Sequence, residues 1–190
     1  AYVQDKASVL DFSQGALRAT GNPLDIAIDG EGFFTVRTPE GIRYTRVGQL
    51  QLDKNGTLIT SQGYSVLGNG SPINISIESG PINIARDGTI TTDRARQGEQ
   101  LAVVGKIDLS NFSDLHLLNP EKDGLFNTDQ PSRPANGQIA QGMLEDSNVQ
   151  PILEMTELIN VTRNYQSIQR FIDAEHERQR RAIGSITSNA

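Results

Sequence analysis

The sequence predicts a mainly β protein: an irregular antiparallel β domain, entered through an extended N-terminal connector and followed by a long C-terminal α-helix. Three observations carry this. Glycine- and proline-based turn sequences punctuate the chain as far as about residue 145, and period-two apolar alternation lies between them. From residue 149 to 183 glycine disappears and the apolar spacing changes to three and four. The 18 glycines and 8 prolines in 190 residues also exceed what a helical bundle needs for its loops.

Residues 1–22 read as the connector. Val9, Leu10, Phe12 and Leu17 are scattered without helical period, and Gly15 and the cluster Thr20-Gly21-Asn22-Pro23 interrupt them. Residues 23–145 read as the β-rich domain. Leu24-Asp25-Ile26-Ala27-Ile28 alternates and reaches Gly30 and Gly32. Phe33-Phe34-Thr35-Val36 follows, then the tight-turn sequence Thr38-Pro39-Glu40-Gly41 and a return strand Arg43-Tyr44-Thr45-Arg46-Val47.

An internal echo comes next. Leu52-Asp53-Lys54-Asn55-Gly56-Thr57-Leu58-Ile59-Thr60 is matched in style, about 32 residues on, by Ile84-Ala85-Arg86-Asp87-Gly88-Thr89-Ile90-Thr91-Thr92. Asn-Gly and Asp-Gly between apolar alternations signal hairpins whose two turn residues both tolerate positive φ. Further strands are expected over 73–77, 101–107 and 138–144. The stretch with Pro120, Pro131 and Pro134 is expected to form surface loops.

Residues 146–190 read as the helix. Ser147 or Asn148 is placed to cap its start, Pro151 suits a first turn, and Arg178, Arg180 and Arg181 suit the negative end of the dipole. Gly184 is expected to end it. Val149, Met155, Leu158, Ile159, Tyr165, Ile168, Ile172 and Ile183 are the candidate assembly stripe, read as one helical face. Two readings stay open: a helix folded back over the sheet, or one that needs another helix. Glu154, Glu157, Arg163, Arg170 and Asp173 either set register between neighbours or form a solvated face.

The exclusions are informative. Without cysteine there is no disulfide, thiol nucleophile or zinc-cysteine site. A net charge of −6 disfavours nucleic acid and anionic lipid as partners. No apolar run approaches the roughly 20 residues of a membrane-spanning helix, so membrane insertion is not expected. The opening Ala1-Tyr2-Val3-Gln4-Asp5-Lys6 lacks a signal-peptide pattern, and the absence of an initial Met suggests a start further upstream.

No catalytic, cofactor or metal site is expected. His116 lies near Ser113 and Asp114, but sequence neighbours rarely present a triad, and His176 reads as solvated. Asp53-Lys54-Asn55-Gly56 lacks the later ligands of a calcium loop, and Gly30-Glu31-Gly32 lacks the third glycine of a dinucleotide fingerprint. Gly68-Asn69-Gly70 reads as a turn. Tyr44 and Tyr64 with Arg43 and Arg46 read as exposed strand pairs rather than a ligand groove. The alternative function of another class, a secreted β-rich binding module, would need clustered exposed aromatics or acidic loops.

Asp11-Phe12-Ser13-Gln14-Gly15-Ala16-Leu17 followed by Thr20-Gly21-Asn22-Pro23-Leu24-Asp25-Ile26-Ala27-Ile28 resembles the signature of flagellar rod and hook proteins. Gly30, Gly32-Phe33-Phe34, Tyr44-Thr45-Arg46, Gly56, Leu58, Thr60 and Gly63-Tyr64 continue the likeness. So do Gly142, Leu144-Glu145, Ser147-Asn148-Val149, Glu154-Met155-Thr156-Glu157-Leu158-Ile159 and Arg163-Asn164-Tyr165. Within the family, Gly63-Tyr64-Ser65-Val66-Leu67-Gly68 leading into Gly70-Ser71-Pro72-Ile73, and the opening Tyr2-Val3-Gln4-Asp5, favour the proximal-rod branch over the distal-rod one.

The resemblance implies an outer β domain of the family's D1 kind and an N-terminal helix, preceding this chain, that pairs with the C-terminal one in an inner tubular core. It implies a structural, non-enzymatic subunit of the periplasmic basal-body rod, exported by the flagellar type III apparatus without a cleaved signal peptide. Its implied partners are copies of itself, other rod proteins and the export apparatus.

Overall fold

A computed structural model describes residues 10–76, 80–92 and 102–187, with helix side chains as far as residue 180. The chain divides into two units, Ala1–Asn148 and Val149–Ala190. The first is antiparallel β throughout its described strands, and the second is a single helix.

The largest sheet grows from the hairpin Phe33–Thr38 and Gly41–Thr45, closed by Pro39-Glu40 in the register Thr38↔Gly41. Ser65–Gly68, Leu58–Thr60 and Leu50–Leu52 extend it on one side, and Leu125–Asn127 with Asn119–Pro120 on the other. A three-stranded sheet joins Ala102–Lys106, Thr89–Thr92 and Ile82–Ile84. Two ribbons complete the unit: Ile26–Asp29 with Gln138–Gln141, and Leu17–Ala19 with Met143–Glu145.

Adjacent strand residues point to opposite faces, and Phe33-Phe34 uses this to link two cores. Phe34 joins Ile26, Ile28, Val36, Leu58, Val66, Ile90 and Ile107 in the main cluster, all fully buried. Phe33 turns the other way, to Phe112 and Leu118, with Phe12, Tyr44 and Phe126 packed around them. Burial stabilises by about 1.5–3 kcal/mol for each large apolar side chain. These clusters therefore hold the β unit together.

The echoed turns are alike in structure but differ from expectation. Asp53 N–H donates to Thr57 O (3.0 Å) and Gly56 N–H to Asp53 O (3.0 Å); Ala85, Thr89 and Gly88 repeat this at 2.9 Å each. Only the glycines have positive φ, 82° and 90°. These are three-residue loops with one left-handed position, not two-residue turns with two. Thr60, Gly63 and Tyr64 form a third copy. The turn needing positive φ at both central residues is Asn69-Gly70, at 50° and 74°.

Other expectations are corrected too. The return strand ends at Thr45, with Arg46 and Val47 beyond it. In 73–77 only an isolated bridge, Thr57↔Asn74, forms, and Ile77 lies outside the described residues, as does Leu101. The expected strand 138–144 is two strands separated by Gly142 at φ 73°. The proline-bearing stretch is not merely loop. It carries Leu109–Asn111, Leu125–Asn127 and Arg133–Pro134, and it buries Phe112, Leu118 and Leu125.

The helix runs Pro151–Thr187, 37 residues or about 55 Å. It passes through Gly184, since one glycine lowers helix propensity by only about 1 kcal/mol. Its first turn is closed by Glu154 N–H donating to Gln150 O (3.1 Å). The start therefore lies beyond Ser147 and Asn148, and the Asn148 amide is used elsewhere.

Candidate assembly site

The family-signature residues converge where the N-terminal connector meets the strand leading toward the helix. Arg46 stands at the centre. Its Nε donates to Glu145 Oε2 (2.8 Å), Nη1 donates to Gly32 O (3.0 Å), and both Nη atoms reach Gly30 O (3.3 and 3.2 Å). The guanidinium also lies 5.9 Å from the centroid of Phe33. Arg46 and Glu145 side chains retain only 18% and 11% exposure, so their attraction is poorly screened. Gly30 and Gly32 adopt φ of 100° and 135°, which turns their carbonyls toward the guanidinium at little steric cost.

Glu145 has a second task. Its Oε1 accepts the N–H of Gly15 (3.0 Å), so one carboxylate joins the connector, its own strand Met143–Glu145 and Arg46. A Cβ at Gly15 would sit 1.8 Å from Asp146 O, which explains glycine there by closeness of backbones. Asp146 N–H donates to Ala16 O (2.9 Å), and Arg18 Nε reaches Asp146 Oδ1 at 3.2 Å on the exposed side. Asn148 Nδ2 donates to Asp11 O (3.1 Å) and Ser13 Oγ (3.2 Å). Residues 11 and 148 are therefore neighbours, and the two ends of the β unit leave it side by side.

Below this junction Asn22 and Asp25 form a closed loop. Asn22 Nδ2 donates to Asp25 Oδ1 (3.0 Å), and Leu24 N–H to Asn22 Oδ1 (3.2 Å). Leu24 packs on the main core. Tyr44 meets Phe112 edge-on at 4.6 Å, and buried Thr45 donates to Gly124 O (2.8 Å). Gly21 has φ 76°. The structure thus brings Gly15, Gly30, Gly32, Phe33, Arg46 and Asn148 to one place. Phe34 and Thr45 serve the core beneath.

The sequence reading gave no role to Gln14, Gln141 or Glu145. Gln14 bridges Ile28 O (2.9 Å) and Gly30 N–H (3.0 Å). Gln141 substitutes for a strand neighbour. Its Oε1 accepts Ile84 N–H (3.1 Å), and its Nε2 donates to Ile82 O and Pro23 O, both at 2.9 Å. Sequence offers no signal for the Gln141 and Glu145 pairs, whose partners are 57 or more residues away, nor for Gln14, which reaches 14 and 16 residues along the chain. Three exposed carboxylates have a simpler role. Asp53 is held below the ordinary carboxylate range mainly by the Thr57 N–H, Asp87 by the Thr89 N–H and Asp11 by the Ser13 N–H.

The second unit supplies the candidate stripe. At 100° per residue on the continuous helix, its apolar residues do not share one face. Ile152, Met155 and Ile159 occupy one arc, and Leu158, Val161, Tyr165, Ile168 and Ile172 another, with centres roughly 130° apart. All are exposed, from 47% at Ile172 to 80% at Ile152. Val149 is exposed as well, and the Ile183 side chain lies outside the described residues. Among the described residues no group of His, Asp and Glu is placed to hold a metal, and no helix is long and apolar enough to cross a membrane. His116 N–H donates to the Asp114 carboxylate (2.9 Å), a helix-capping contact rather than part of a triad.

Comparison with known proteins places this architecture. The family model described as flagellar hook protein FlgE/F/G D1 domain matches residues 27–92, and that for the flagellar basal body rod FlgEFG protein C-terminal matches residues 140–184. The chain is 36% identical over 186 residues to flagellar basal-body rod protein FlgF of Caulobacter vibrioides, covering 96% of this chain and 73% of that protein. It is 37% identical to FlgF of Mesorhizobium japonicum, covering 83% and 65%, and 34% identical to FlgG of Bacillus subtilis, covering 87% and 66%. The chain thus spans about two thirds to three quarters of these relatives. With more than 30% identity over most of the chain, the chain belongs to the flagellar basal-body rod protein family.

Proposed function

We propose that the chain is a proximal-rod subunit whose helix packs into an inner tubular core while its β unit makes lateral contacts, the two together transmitting torque. The observation that carries this is the pair of exposed apolar arcs. A helix apolar on two sides is stable only between neighbours. One arc fits a helix preceding this chain, because Asp11 is held at Asn148, three residues before Pro151 starts the helix. The other fits a further copy or another rod protein. Val149, Met155, Leu158, Ile159, Tyr165, Ile168, Ile172 and Ile183 are the proposed contacts, and Asp173 to Arg181 form a polar stretch between Ile172 and Ile183.

Residues 1–22 then act as the connector, 23–145 as the outer domain and 146–190 as the core helix. Many weak contacts repeated along a helical lattice would make the rod stiff. Export through the flagellar type III apparatus without a cleaved signal peptide, and residence in the periplasmic rod, complete the reading. The absence of cysteine suits passage as an unfolded chain. The distal-rod reading belongs to the same family, and the FlgF relatives favour the proximal one.

Electron microscopy of basal bodies tests this in cells lacking the gene, with and without the full-length gene restored. Rods that stop early and recover on restoration are the expected result. Normal rods and hooks without the gene would overturn the assignment.

A further inference from the structure

We propose that the β unit carries a latched arm. Residues 11–19 and 143–148 form one paired element that swings about Gly21 and Gly142 and is held to the body by Glu145 and Gln14. Both strands of this ribbon change direction at the same level. Chain continuing from Gln138–Gln141 passes Gly142 into Met143–Glu145, and its partner passes from Leu17–Ala19 through Gly21 toward Ile26–Asp29. Both glycines are left-handed, at 76° and 73°.

The pivot is uncrowded. A Cβ at Gly21 would meet nothing within 4 Å, and one at Gly142 only Gly21 Cα at 3.9 Å. The glycines are therefore needed for backbone conformation rather than for close packing. Thr20 and Gly21 N–H both donate to Gly142 O (2.8 and 3.2 Å), so the two strands share one pivot carbonyl.

Beyond the pivot, Met143–Glu145 runs beside Ile26–Asp29, and three side-chain contacts tie arm to body. Glu145 joins Arg46, Gln14 grips Ile28 O and Gly30 N–H, and the Phe12 ring lies 5.5 Å from Phe126 and 6.1 Å from Phe33. Both polar latches converge on Gly30, whose carbonyl faces Arg46 and whose N–H faces Gln14. Beside them lies an open groove of about 560 Å³, lined by arm residues Phe12 and Leu144 and by body residues Val47 and Phe126. Hinge, latch and free space together make a device that fixes, and on release changes, the direction in which both chain ends leave the β unit. The inference concerns this unit alone and does not depend on the rod reading.

The test exploits the cysteine-free sequence. Ala16→Cys on the arm and Lys54→Cys on the body provide two unique spin-label sites in the 190-residue chain. Pulsed dipolar measurement should give one narrow distance for the parent and a second population for Gln14→Ala/Glu145→Gln. Amide exchange at Gly15 should rise roughly 10- to 100-fold, as expected for losing a charge-assisted hydrogen bond, while protection at Phe34 and Val66 stays unchanged. An unaltered single distance, both in this variant and after adding Phe12→Ala, would overturn the proposal. Loss of protection at Phe34 and Val66 together with Gly15 would overturn it equally, because the arm would then not move independently of the core.

Discussion

The two units treat apolar side chains in opposite ways. In the β unit Ile26, Phe34, Val36 and Leu58 are fully enclosed, whereas in the helix Ile152, Leu158 and Phe171 stand largely in solvent. Burial accounts for the stability of the first. The second has only its own backbone ladder and propensity, which are marginal for an isolated helix in water. The contrast teaches where the molecule is complete: the β unit contains its own core, and the helix leaves its large apolar side chains in solvent.

That contrast can be broken most severely by placing charge on the helix. Leu158→Asp should abolish incorporation into rods, read as loss of motility and of the protein from purified basal bodies. The thermal midpoint of the β unit should stay within about 1 °C of the parent, because Leu158 is exposed and belongs to neither apolar cluster of that unit. A matching pair of alanine substitutions sharpens the comparison in solution. Phe34→Ala should cost about 3–5 kcal/mol in urea unfolding of the β unit, from lost burial and the cavity left behind. Ile159→Ala on the isolated chain should cost within about 0.5 kcal/mol, as for an exposed position.

At the junction Arg46→Met should cost about 2–3 kcal/mol by urea unfolding. It leaves a poorly solvated Glu145 carboxylate with only the Gly15 N–H from the present set.

The smallest expected effect is electrostatic. The Asp53 and Asp87 carboxyls lie below their unfolded value in the folded chain, so their stabilisation is present above about pH 4 and is lost as pH falls through the folded values. Asp53→Ala should therefore lower the urea midpoint slightly at pH 7. That difference from the parent should shrink in a pH series taken down to pH 2.

Much of the β unit was legible because its signals are local. Gly56 and Gly88 mark turns where a left-handed residue is needed, and Phe33-Phe34-Thr35-Val36 marks a strand. The turn type was misjudged because Asn55 and Asp87 keep negative φ, a choice made by the bulge geometry of the loop rather than by the dipeptide. The proline-bearing stretch was misjudged because Pro120 and Pro134 lie in short pairings, where a missing N–H is tolerated. The signature glycines were visible as letters, but their reasons were not. Gly15 is fixed by Asp146 O, a partner 131 residues away, and Arg46 by Glu145, 99 residues away.

The sequence by itself determined the helix, the positions of most turns, the apolar alternation and the family. Each follows from steric preferences and periodicities that act over a few residues, or from a motif order that survives without a structure. Only the tertiary structure decided that Glu145 serves Arg46 and Gly15 at once and that Gln141 stands in for a strand. It also decided that the chain ends leave the β unit side by side. Those outcomes depend on which distant backbones approach within hydrogen-bonding distance, and that is set by packing of the whole unit rather than by any short stretch of it.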